Sequence, residues 1–184
     1  MTGSTKGLHP LVAVRADTGE IVHARFRKGS ANTARGAERF VRELIARVRR
    51  AGATGQITLR ADSGFWSNKI VTACRDHSVR YSITVRRQQP VVAAIAAIPE
   101  TDWVDITYTA SGDAKVAETP YNGHRLVVRR TRIKGAQPAL FDEWRHHAFI
   151  TDCPGTATEV DEHHRAHAVV ELAIRDLKEG AGLN

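Results

Sequence analysis

The sequence predicts an α/β fold, a mixed sheet flanked by helices, with an antiparallel β insertion late in the chain. Three observations predict it. Short β-rich segments alternate with helical periodicity up to Ile98, strands separated by Gly- and Asn-containing turns follow, and a long amphipathic helix closes the chain. At 184 residues and 42% hydrophobic content, the chain can bury the core of one domain carrying an insertion.

Leu11 to Arg15 and Ile21 to Arg27 flank the turn-rich Ala16-Asp17-Thr18-Gly19-Glu20 and read as a hairpin, with Asp17 a turn residue. Ala37, Phe40, Val41, Leu44, Ile45 and Val48 recur at helical spacing, with Ser30 or Asn32 as cap and Gly52 as stop. The opposite face carries Arg35, Arg39, Arg42, Arg49 and Arg50 and reads as a solvated face or a track along DNA. Gln56 to Ala61 is a third strand, Phe65 to His77 a second helix, Arg80 to Val85 a fourth strand, and Pro90 to Ile98 a short apolar helix. Val104 to Thr109, Ala114 to Glu118 and Arg125 to Ile133 are then strand-like, split by Ser111-Gly112-Asp113 and Tyr121-Asn122-Gly123. Phe149 to Thr151 is a return strand, and the last helix runs from Thr158 to Glu179. The organisation is therefore 1–98 as the first part of a core, 99–145 as the insertion, and 146–184 as the return strand and final helix.

No apolar run reaches the roughly 18 residues that a membrane helix needs, and the start lacks a secretion-signal pattern. The expected location is the cytoplasm, and the net basic charge adds association with the nucleoid. Cys74 and Cys153 stand far apart in no CxxC pattern and read as core residues. Lys and Arg number 27 against 20 Asp and Glu, a net +7 that arginine dominates. The guanidinium fork matches phosphate oxygens in pairs, so the charge suits nucleic acid. Arg86, Arg87, Arg129, Arg130, Arg132 and Lys134 are the candidate phosphate contacts.

Two acidic residues attract attention. In LRADSGFWSNK a short apolar stretch delivers Asp62 into a Ser-Gly turn, where a carboxylate either caps the next helix or holds a metal ion. On the last helix, Ala166, Val169, Val170, Ala173, Ile174 and Leu177 share one arc at about 100° per residue. Beside that arc runs a polar stripe of His164, His167, Glu171 and Lys178, which puts Glu171 at the rim of the core.

The stretches HPLVAVRADTGEIV, LRADSGFWSNK and HHRAHAVVELAIRDLKEG occur in that order, with a β-rich segment between the second and third. Together they resemble the DDE transposases of bacterial insertion sequences, in the group whose RNase H-like core carries a β-strand insertion before its final glutamate. That group's last helix carries Tyr-x2-Arg-x3-Glu-x6-Lys; the spacing falls on His164, His167, Glu171 and Lys178, with histidines in place of the tyrosine and arginine. The resemblance implies Asp62 and Glu171 as catalytic and metal-binding carboxylates. It implies Mg²⁺ or Mn²⁺ as cofactor, bound weakly here, and double-stranded DNA, both transposon ends and target, as partner. A second copy or another transposase chain is a further implied partner, and Lys178, His164 and His167 become DNA contacts. Two such ions activate a water or a 3′ hydroxyl and stabilise the leaving oxygen.

The family's first aspartate lies on a strand upstream of the segment resembling His9 to Val14, and MTGSTKGL holds neither an acidic residue nor a strand. The expectation is a fragment truncated at both ends, lacking the central first strand, and inactive or weakly active alone. Either the Leu11 to Arg15 strand closes antiparallel on the Gln56 to Ala61 strand, or another chain fills the gap. The alternatives are a non-catalytic DNA-binding or regulatory remnant, a small metal-dependent nuclease, and a metal cluster of Cys153, His163, His164 and His167.

Overall fold

The computed structural model describes residues 10–28, 35–108, 112–133 and 144–166. They fall into two compact units, one holding the described residues of 10–57, 67–79 and Ala166, the other those of 58–66 and 80–165.

In the first unit, β1 (Leu11–Val14) and β2 (Ile21–Arg25) form the antiparallel hairpin that the sequence predicts, with an irregularity between Ala13 and Val14. Both strands lie against α1 (Ala37–Arg50), whose Phe40 stacks on His23 with ring centroids 4.5 Å apart. Phe40, Val41, Leu44 and Ile45 are buried on one side of α1, as their spacing requires. Burial of each such side chain stabilises the fold by roughly 1.5–3 kcal/mol. The helix does not start on a capping side chain: Gly36 precedes it with φ +79° and no side-chain cap. Ser30 and Asn32, the expected caps, lie outside the described residues. Arg42 reaches Asp76 of α2 (Asn68–Asp76) at 3.2 Å, and Ile70, Val71, Ala73 and Cys74 are the buried side of α2.

The helix expected from Phe65 to His77 is shorter than its periodicity suggests. Ser63–Phe65 form a 3-10 turn, Trp66 is extended, and Ser67 caps α2 by accepting the Ile70 N–H at 3.3 Å. A serine that can satisfy one of the helix's orphan N–H groups sets the start, against the apolar pattern upstream.

The second unit is built on the six-stranded sheet, in the order β3-β4-β8-β7-β6-β5. β3 is Ile57–Ala61, β4 Val79–Thr84, β5 Val104–Asp105, β6 Gly112–Tyr121, β7 His124–Ile133 and β8 Arg145–Thr151. The first residue of β3 and of β4 falls in the first unit. The β4–β8, β8–β7, β7–β6 and β6–β5 pairs are antiparallel. The insertion strands thus extend one continuous sheet. Asn122 and Gly123, both at positive φ, make the tight β6–β7 turn. β8 begins four residues before the expected Phe149, because Arg145, His146 and His147 pair with Thr131, Arg130 and Arg129 despite their polarity. Of the strand expected from Val104 to Thr109, only Val104–Asp105 is regular; Thr109 lies outside the described residues.

Of the two alternatives for the Leu11 strand, closure on the Gln56 strand is not formed among the described residues, where β1 pairs with β2 and β3 ends the sheet order beside β4. α3 (Gln89–Ala96), with Val91 and Ile95 buried, contacts β6. α4 (Ala157–Arg165) packs on β6 and β7 over a core of Val116, Val127, Phe149 and Val160, with Ile106, Cys153 and Ala157 against it. Cys74 is fully buried and Cys153 half-buried, in keeping with core roles. The predicted final helix from Thr158 to Glu179 is seen as far as Arg165; its remainder lies outside the described residues.

Candidate active site

β3 brings Asp62 to the end of the sheet. Ala61 is buried, Asp62 is exposed, and its backbone is still extended at φ −74° and ψ 175°. Its Oδ1 accepts the Gly64 N–H at 2.7 Å, and its carbonyl accepts the Phe65 N–H at 3.1 Å. Asp62 therefore caps the 3-10 turn, which engages one carboxylate oxygen. The turn is braced from below: Trp66 meets His124 edge-on at 5.5 Å, and His124 Nδ1 lies 3.0 Å from the Tyr81 hydroxyl. Sequence reasoning missed this brace, since Trp66, Tyr81 and His124 carry no shared motif and meet only through the sheet.

Arg60, two residues before Asp62, donates from Nη1 to the His163 carbonyl of α4 at 2.6 Å. It too was missed. Burial works against its charge and pushes its pKa down.

Polar groups add to the apolar packing of α4 on the sheet. Thr156 and Glu159 form a reciprocal cap: the Thr156 hydroxyl accepts the Glu159 N–H at 3.3 Å, and Glu159 Oε2 accepts the Thr156 N–H at 2.8 Å. The signature Thr-x-x-Glu was readable in the sequence and sets the helix start one residue before the expected Thr158. Asp161, fully buried, accepts from Arg129 Nη1 at 2.7 Å and from Arg165 Nε at 2.9 Å. The Tyr108 ring lies over both guanidinium groups, 4.5 Å from Arg129 and 5.2 Å from Arg165.

His164, an expected DNA contact, is only 7% exposed. Its ring stacks on Phe149 at 4.0 Å with an interplanar angle of 1°. Nδ1 lies 2.7 Å from the Ser82 hydroxyl, and Nε2 lies 3.2 Å from the Thr84 hydroxyl and 3.4 Å from His147 Nε2. Reaching DNA would require the ring to leave these partners. His163 is exposed and Cys153 Sγ faces the Tyr81 carbonyl at 3.7 Å. Among the described residues, no group of three or more His, Cys, Asp or Glu gathers that could hold a metal.

The candidate phosphate contacts divide. Arg86 and Arg87 are exposed after β4. Arg129 is committed to Asp161, and Arg132 donates to Asp113 at 2.6 and 3.1 Å. Arg130 is buried between the Trp103 and Trp144 rings, 4.1 and 4.5 Å from their centroids, and pairs with both oxygens of Glu100. Three guanidinium groups thus spend their forks inside the fold. Lys134, His167, Glu171 and Lys178 lie outside the described residues.

The chain belongs to the DDE transposases: residues 4–184 match the family described as Transposase DDE domain, group 1. Its mixed α/β architecture is consistent with the RNase H-like fold expected of that family. No curated protein matches the chain. Among the described residues, no helix is long and apolar enough to cross a membrane.

Proposed function

We propose that this chain forms part of a DDE transposase catalytic core acting on double-stranded DNA, with Asp62 and Glu171 as carboxylate ligands for Mg²⁺ or Mn²⁺. The observation that carries the reading is Asp62 itself, an exposed carboxylate at the extended end of a sheet strand in a chain of this family. Its hard oxygen donors suit those ions. Glu171 joins it through the family signature, His164, His167, Glu171 and Lys178 in their spacing. When bound, the ions would lower the pKa of a water or 3′ hydroxyl and stabilise the negative charge developing on the leaving oxygen. The chain's own residues orient: the Gly64 N–H fixes one Asp62 oxygen and leaves the other for the ion. Arg86, Arg87, His167 and Lys178 are the proposed DNA contacts, and a second copy or another transposase chain the proposed partner.

Strand transfer by this chain alone is proposed to be weak or absent. Asp17 is engaged in its turn by Arg15 Nε at 2.7 Å and Nη2 at 2.9 Å. Asp62 and Glu171 are two carboxylates where the family uses three, which supports the proposal of weak activity.

The test is incubation of the purified chain with labelled duplex DNA and Mg²⁺ or Mn²⁺, across a salt series, beside Asp62→Ala. Salt-dependent binding with little nicking or joining is expected. Robust cleavage lost in Asp62→Ala would instead identify a working nuclease. Binding without any metal response, unchanged in Asp62→Ala, would identify a regulatory DNA-binding remnant.

A further inference from the structure

β6 is ten residues long, and β5 covers only two of them, pairing Val104 with Val116 and Asp105 with Lys115. Upstream of β5 the chain leaves the sheet through the 3-10 turn Glu100–Asp102, which follows Pro99. Antiparallel pairing alternates the side to which successive residues turn their backbone groups. The Ala114 carbonyl accepts the Ile106 N–H at 2.9 Å, so the even-numbered residues of β6 face the β5 side. The odd-numbered ones face β7, in step with the Tyr121 and His124 pair that closes the Asn122-Gly123 turn. Among the described residues no strand lies beside Ala117 to Tyr121 on the β5 side. This edge leaves the Glu118 N–H and the Glu118 and Pro120 carbonyls open, and both residues are exposed. Proline fits there because no ladder needs its N–H.

On the α4 face this edge opens into a groove of about 570 Å³. Val104, 55% exposed, lines it with Val116 and Ala157; Asp102, Glu118 and Glu159 supply its charge. Arg125, the base among the lining residues, is already engaged: Nε donates to Glu118 at 2.9 Å, Nη1 to the Cys153 carbonyl at 3.0 Å and Nη2 to the Gly155 carbonyl at 2.9 Å. An acidic groove on a chain of net charge +7 repels phosphate and attracts a cationic partner. It also bars a second copy, since antiparallel self-pairing centred on this edge sets Glu118 against Glu118. Open backbone groups call for an added strand, and the groove receives every second side chain of it. We propose that the β6 edge docks an extended basic segment of another protein as a strand beside Ala117 to Tyr121. Its groove-facing side chains alternate between Lys or Arg, set against Asp102, Glu118 and Glu159, and apolar groups set against Val104 and Ala157.

The probe is a labelled, end-blocked peptide, Lys-Thr-Val-Thr-Lys-Thr-Val-Thr-Lys, which puts Lys and Val on one face and Thr on the other. Its binding to the full chain is followed by fluorescence anisotropy at low and high salt, beside a Glu-for-Lys version and one N-methylated at its Lys and Val residues. Saturable binding that weakens with salt is expected for the Lys peptide, with neither other version competing and with slower amide exchange at Glu118 in the complex. Asp102→Lys and Glu118→Lys should each weaken binding about 10-fold or more by setting like charges together. Glu118→Pro, which removes the open N–H, should weaken it roughly 3- to 10-fold. Glu20→Lys, in the other unit, should bind as wild type, and melting midpoints show which variants keep the fold. Equal binding of the Glu or the N-methylated peptide overturns the proposal, as does wild-type affinity in Asp102→Lys. Absence of saturable binding, or an equal loss in Glu20→Lys, overturns it too. A dimer in sedimentation that Glu118→Pro dissolves would place a second copy on the edge and displace the basic peptide.

Discussion

Arg129 donates to Asp161 at 2.7 Å from the middle of β7 to the inner face of α4, with Asp161 wholly buried. Arg165 and the Tyr108 ring also meet this pair. Leaving a buried charge without its partner costs about 3–5 kcal/mol. Arg129→Met leaves Asp161 its bond to Arg165 and should lower the stability of the sheet unit by less than that in urea unfolding. Asp161→Asn should cost more, since the buried Arg129 guanidinium then loses its carboxylate.

The arginines sort into two classes by experiment. Arg86→Ala and Arg87→Ala should each lower the slope of log binding constant against log salt by about one, with unchanged melting. Arg130→Met should act the other way. Its guanidinium is enclosed by Trp103, Trp144 and Glu100, so the loss should appear as a lower melting midpoint with the DNA salt slope unaltered.

Stability should fall on acidification, with a sign that follows from the histidines of β8. Burial first, then Arg129, pushes His147 below the ordinary histidine value, with Asp161 opposing; burial, Arg87 and Arg130 push His146 the same way. The unfolded chain then takes up protons that the folded one refuses. The contribution is full above the ordinary value of about 6.5 and is lost as pH falls through it toward the depressed folded values. Glu159 adds a later loss: its bonds to Thr156 lower its pKa, so that share disappears as pH falls through the folded carboxylate value. Denaturant midpoints measured from pH 8 down to about 2 should decline in that order, and His147→Phe should flatten the first limb.

Two side-chain caps offer a cleaner measure. Ser67→Ala and Thr156→Ala each remove an oxygen that satisfies an N–H of the first turn, and each should cost about 1 kcal/mol. Amide exchange should quicken first in the opening turn of the helix concerned.

Periodicity and turn chemistry in the sequence were enough to determine the hairpin at Asp17, the buried side of α1, the Asn122-Gly123 turn and the delivery of Asp62 to a strand end. Each depends on residues close together in the chain. His164 and Arg130 belong to the tertiary structure. Helical projection gave His164 a place beside the apolar arc, and a basic run gave Arg130 a place among phosphate contacts. Phe149, Ser82 and His147 enclose one, and Trp103, Trp144 and Glu100 the other, each from distant strands or turns. The same holds for Arg60, whose partner carbonyl lies 103 residues on. A polar side chain's local pattern fixes the direction in which it leaves the backbone. Whether it meets water, a ring or an opposite charge is decided by which strands the sheet brings beside it, and burial then makes that partner obligatory.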